Sequence, residues 1–194
     1  MQQEITSFQQ EYLAELEIAE TQLLALAGAV PEESYGWSPV PGARSFSAVL
    51  VHIAVGNLLL LYRAGARIHP VTDLYGSIEG ETVARVVAMI RKNVAMEETI
   101  VAKSAVVDLL RCSFQAVAKA MAAVSPDDLE VRGNFFGKPE AVRRLYLRML
   151  AHSHEHMGQA IAYVRSMGYK VPWTDPLKDL DRAAVSEAAN QLTA

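Results

Sequence analysis

Three of the five histidines fall in one short stretch, Ala151-His-Ser-His-Glu-His156. At about 100° per residue, a helix sets His152 and His156 roughly 40° apart on one face and turns His154 about 160° or more away from both. Leu145, Gln159 and Tyr163 fall within roughly 20° of His152 on the same wheel, so this face looks inward. His52 likewise interrupts an apolar face made by Ala48, Val49, Val55 and Leu59. A buried, hydrogen-bonded histidine is the ordinary reading of any one of these, but unpaired imidazoles in a core are costly. Three inward histidines from two helices point instead to a divalent ion held by His52, His152 and His156.

Neutral imidazole suits Zn, Ni, Cu and Fe(II), and Zn or Ni is expected first. Three protein ligands leave a position open for water or substrate, which is the coordination of a catalytic site. Gly56, one turn beyond His52, either makes room for an incoming group or lets two helices pack closely. Other metal motifs are absent. A zincin helix starting at His154-Glu155 needs its second histidine at position 158, which is Gly158. Di-iron bundles need Glu three residues before His, where Val49, Met149, Ala151 and Ser153 stand. Cys112, among Leu109, Leu110 and Phe114, reads as a small core residue rather than a nucleophile.

The elements that must position these residues are helical. The chain has 194 residues, 51% of them hydrophobic but only 7% aromatic, a mixture that favours packed helices. A periodic apolar pattern through Ile5, Phe8, Tyr12, Leu13, Leu16, Ile18, Leu23 and Leu26 predicts a first helix ending near Gly28. Residues 31–42 read as a loop anchored by Trp37, and Ser45 as the cap of a second helix reaching about Ala66. Further helices are expected over about 81–98 and 103–124, and a last long one opening near Pro139 and closing at Gly168. Strand alternation is not expected anywhere. The fold class is all-α: a four-helix bundle with additional short helices over residues 1–175, followed by a helical tail over 176–194.

The formal net charge of −4 gives no electrostatic footprint for nucleic acid. A single cysteine makes the fold independent of an oxidising compartment, and the polar N-terminus shows no secretory signal. The apolar run Ala48 to Tyr62 is too short and too polar to cross a membrane, so a cytoplasmic protein with a small-molecule substrate is expected.

Two blocks resemble the DinB-like, or YfiT-like, family of metal-binding four-helix bundles. The first is Trp37-Ser-Pro-Val-Pro-Gly42 followed by Ser45 and His52. The second is His152-Ser-His-Glu-His156-Met-Gly-Gln159, continued through Tyr163, Arg165, Gly168 and Pro172-Trp173. The resemblance covers about residues 5 to 175 and implies the same three metal ligands, with no such role for His154. It also implies a possible homodimer and activities such as transfer of bacillithiol or mycothiol to electrophiles. Val171-Pro172 departs from the family's paired prolines, and the helix expected at 81–98 is an addition that can cover the bundle.

The leading expectation is therefore a metal-dependent enzyme that transfers a low-molecular-weight thiol to a small electrophile. Gln159, Tyr163 and Gly56 are candidates for cofactor or substrate contact. Arg148 is another, either pairing with a cofactor carboxylate or held in an ordinary salt bridge. Metal-dependent hydrolysis is the alternative within enzymes, with Glu155 as a poorly placed base about 60° off the metal face. Outside enzymes, the alternative is a metal-binding stress-response module without turnover.

Overall fold

A computed structural model describes residues 8–76, 82–135 and 138–173. Four long helices make the bundle: α1 (Phe8–Ala29), α2 (Phe46–Arg63), α5 (Lys103–Ala123) and α7 (Val142–Ser166). Helices α1 and α2 each pack against both α5 and α7, so the two pairs lie on the diagonals of the bundle. Between α2 and α5 the chain forms the short α3 (Val71–Tyr75) and then α4 (Val83–Thr99), which lies along the outer side of α2. A single turn, α6 (Pro126–Glu130), and a hairpin of β1 (Arg132–Phe135) and β2 (Lys138–Ala141) join α5 to α7. The helical tail expected at 176–194 lies outside the described residues.

Local chemistry explains most boundaries. Ser45 caps α2, its hydroxyl accepting from the Ala48 amide at 3.1 Å. Gly168, at a φ of 83°, takes the left-handed turn that ends α7. Helix α2 is apolar all round because it is enclosed on all sides by α4, α5 and α7; its buried residues run from Phe46 to Tyr62 with few gaps. Against the expectation from Ala48 to Tyr62, the full helix is long and apolar enough to cross a membrane by length and composition, but 78% of it is buried in the bundle.

Four expectations about elements and packing need correction. Pro139 does not open the last helix: it pairs with Asn134 in the antiparallel hairpin, and α7 starts at Val142. A proline is tolerated there because a two-stranded ribbon leaves each strand an open edge. The strands themselves were not expected, since four residues apiece are too few to show alternation. The loop at 31–42 is anchored more deeply by Tyr35 than by Trp37. Tyr35 is buried edge-on against Phe46 and donates its hydroxyl to the Ala27 carbonyl at 2.7 Å. Ile18, counted in the apolar face of α1, points to solvent.

Candidate metal centre

Helices α2 and α7 pack directly, and their contact brings the three histidines together. The ring centroids form a nearly equilateral triangle: His52 to His152 4.9 Å, His52 to His156 4.5 Å, and His152 to His156 4.7 Å. One ring nitrogen from each lies within 4.8 Å of the others. The Nε2 atoms of His52 and His152 are 3.1 Å apart. Two nitrogens bound to one ion at about 2.0–2.1 Å sit about 2.9–3.4 Å apart in octahedral or tetrahedral geometry. His154, as its spacing requires, is exposed on the far side of α7.

Hydrogen bonds fix two of the three tautomers. Glu97 Oε1, on α4, lies 2.7 Å from His52 Nδ1. A carboxylate can only accept, so Nδ1 carries the hydrogen and Nε2 keeps its lone pair. On the other side, Gln159 donates through Nε2 to the Tyr163 hydroxyl at 3.0 Å, leaving its Oε1 to accept from His156 Nδ1 at 2.9 Å. His156 Nε2 is thereby free as well. His152 differs: its Nδ1 is buried with no hydrogen-bond partner. Its ring is placed by packing. A Cβ on Gly56 would lie 2.5 Å from His152 Cε1, so the space freed by the glycine is taken by this imidazole.

Electrostatics keep His152 and His156 neutral. Burial, reinforced by the neighbouring His52 and His156, holds the pKa of His152 at about 3. Burial also lowers His156, against a weaker opposing effect of the Gln159 hydrogen bond. Neutral imidazole is the metal-binding form. For Glu97, burial acts to raise the pKa, but hydrogen bonds from His52 and Arg44 outweigh it and the carboxyl lies below its ordinary value. Arg44 Nε donates to Glu97 Oε2 at 2.6 Å, completing a chain Arg44–Glu97–His52. The donor set, the free Nε2 atoms and the nitrogen spacing fit a divalent ion such as Zn or Ni.

A cleft of about 300 Å³ opens beside the triad between α2 and α4. His52, His152 and Gly56 line it, together with Val55, Leu59, Ile90 and Val94. Arg148 also lines it, but both its Nη groups are bonded to Glu155, at 3.0 and 2.8 Å. That pair is the ordinary salt bridge weighed from the sequence, and it turns Glu155 to the surface. Gln159 and Tyr163 stand behind His156 and do not line the cleft; Tyr163 is 8% exposed, edge-on to Trp37.

Sequence reasoning missed Glu97, Arg44 and Asn93. It expected α4 as a cover without giving it a residue at the site. A signal was present: Met89, Asn93 and Glu97 recur every four residues and are the buried face of α4, while Val83, Val87, Ile90 and Val94 are exposed. Polar residues on the inward stripe of a helix whose Val83, Val87 and Val94 face out have partners inside.

The family model of the DinB superfamily matches residues 15–160. A DinB-like protein from Bacillus cereus ATCC 10987 superposes with a TM-score of 0.65 at 17% identity, covering 86% of this chain and 97% of its own. Another, from Bacillus subtilis, gives 0.58 at 14% identity, covering 84% and 96%. These two likenesses speak to the fold alone. No curated protein sequence matches the chain significantly. From the extent of the family match, the chain belongs to the DinB superfamily.

Proposed function

We propose that this protein is a metal-dependent enzyme that transfers a low-molecular-weight thiol to a small electrophile. The observation that carries the reading is three histidines with converging ring nitrogens, two of which, His52 and His152, line an open cleft. Among the described residues no fourth His, Cys, Asp or Glu joins the cluster. Structural metal sites are closed by four protein ligands, whereas catalytic ones keep a position open.

A divalent ion held by His52, His152 and His156 would lower the pKa of a thiol and favour the nucleophilic thiolate at neutral pH. The chain's own residues do the rest. Glu97 and Gln159 hold two ligand rings in the tautomer that presents Nε2, and Gly56 lets the third ring lie against α2. Burial keeps His152 and His156 unprotonated. Hydrolysis is the weaker reading because it needs a free base beside the site. Glu97 is engaged by two partners, and Glu155 is tied to Arg148 at the surface.

The test compares metal-loaded and chelated protein across bacillithiol, mycothiol, glutathione and coenzyme A with an alkylating probe. A metal-dependent rate of S-conjugation with at least one thiol, lost in His152→Ala, is expected. No metal-dependent rate with any of them would shift the assignment to hydrolysis or to a metal-binding module without turnover.

A further inference from the structure

The cleft between α2 and α4 has a one-sided chemistry. Apart from the histidines, the polar side chains that line it, Asn93, Arg44, Glu97 and Arg148, each have a partner. Asn93 accepts from the Tyr75 hydroxyl at 2.7 Å and donates to the Val55 carbonyl at 3.4 Å. Arg44 is bonded to Glu97, and Arg148 is held by Glu155 through two hydrogen bonds. The remaining wall is Val55, Leu59, Leu60, Ile90 and Val94. Ile90 and Val94 are 40% and 44% exposed, although each is a large aliphatic side chain beside a buried core. An apolar surface that stays uncovered next to a potential metal site is a candidate ligand contact.

We propose that this cleft binds the apolar, alkyl or aryl, arm of the electrophile, with Ile90 and Val94 of α4 as its specificity-determining wall. The inference rests on the triad being the site where a thiol is presented. Size favours a small molecule: about 300 Å³ is at the low end of ligand sites and too little for a peptide helix. Continuity ties it to the triad, since His52 and His152 line the same cleft as Val94 and Leu59, so an apolar arm against those walls has the histidines within the same cavity. Aliphatic walls favour an apolar group over a polar thiol, which matches the cleft to the other reactant.

Cobalt(II)-loaded protein titrated with n-alkanethiols of two to eight carbons and with thioglycerol tests this, with the visible spectrum reporting sulfur at the ion. The sulfur serves as anchor and the alkyl tail as ruler. Affinity is expected to rise by up to about fourfold per methylene until the cleft is full. Val94→Asn should flatten that dependence, and Val94→Phe should shorten the longest tail accepted. If thiols bind with no dependence on chain length, the cleft proposal is wrong and the thiol reading stands. If no thiol reaches the ion, the thiol reading fails, and methyl NMR of metal-free protein with 1-hexanol still decides the cleft. Saturable shifts at Ile90 and Val94 support it. Their absence, or coverage of these methyls by a second copy of the chain, overturns it.

Discussion

His52 and His152 face each other across 3.1 Å but are held in different ways. His52 is oriented by a charged hydrogen bond: its Nδ1 meets Glu97, which is 8% exposed and itself clamped by Arg44. His152 has no such partner, and its ring rests in the space left by Gly56. One candidate ligand is positioned by electrostatics from α4, the other by the shape of the bundle core. Shape tolerates less. A hydrogen bond can be weakened by degrees, whereas a side chain placed where a ring sits must displace it.

The largest effect is expected from Gly56→Val, which forces the His152 ring away from α2. Metal affinity should fall by more than the roughly 10- to 100-fold typical of a lost outer partner. Helical circular dichroism should persist; titration with a competing chelator measures the loss, and wild-type affinity would show that the ring is not held by this contact. Glu97→Ala comes next, at about 10- to 100-fold, with Glu97→Gln smaller because the amide oxygen still accepts from His52 Nδ1. Gln159→Leu, which removes a neutral partner from His156, should cost about tenfold or less. Equal losses in all three would mean that charge on the outer partner is irrelevant.

Acidification gives a smaller effect of fixed sign. In the metal-free protein, His152 has a pKa of about 3 against an ordinary 6.5, so between these values the unfolded chain binds a proton that the folded chain does not. Stability should therefore fall as pH drops from about 6.5 towards 3. His156, also lowered, adds to the loss in the same direction, and Glu97 adds more below its ordinary 4.5. Melting temperature against pH in the presence of chelator reads this slope. His152→Leu should flatten it, and a melting temperature constant from pH 7 to 4 would contradict it.

Much of this site was legible in the residues because both of its halves are periodic. The i,i+4 pair His152/His156 and the solitary His52 each stand on an apolar helical face, and two such faces in one bundle must meet. The bundle helices were legible for the same reason, with Ser45 and Gly168 marking ends by their own chemistry. Glu97 was not, because the partner of His52 sits 45 residues away on a helix whose docking on α2 depends on tertiary contacts. The hairpin escaped notice because its strands are short, and Pro139 has the same local preference at the edge of a ribbon as in the first turn of a helix. Gly56 carried two readings in the sequence, and only the position of the His152 ring decides that close packing fills its space.

That His52, His152 and His156 hold one divalent ion is the proposal on which the thiol chemistry depends. It is tested most directly by metal content after loading with Zn or Ni, measured on the parent protein and on His52→Ala, His152→Ala, His156→Ala and His154→Ala. About one ion per chain is expected in the parent and in His154→Ala, with sharp loss in each of the other three. A parent protein that stays empty, or a loss of metal in His154→Ala alone, would contradict it.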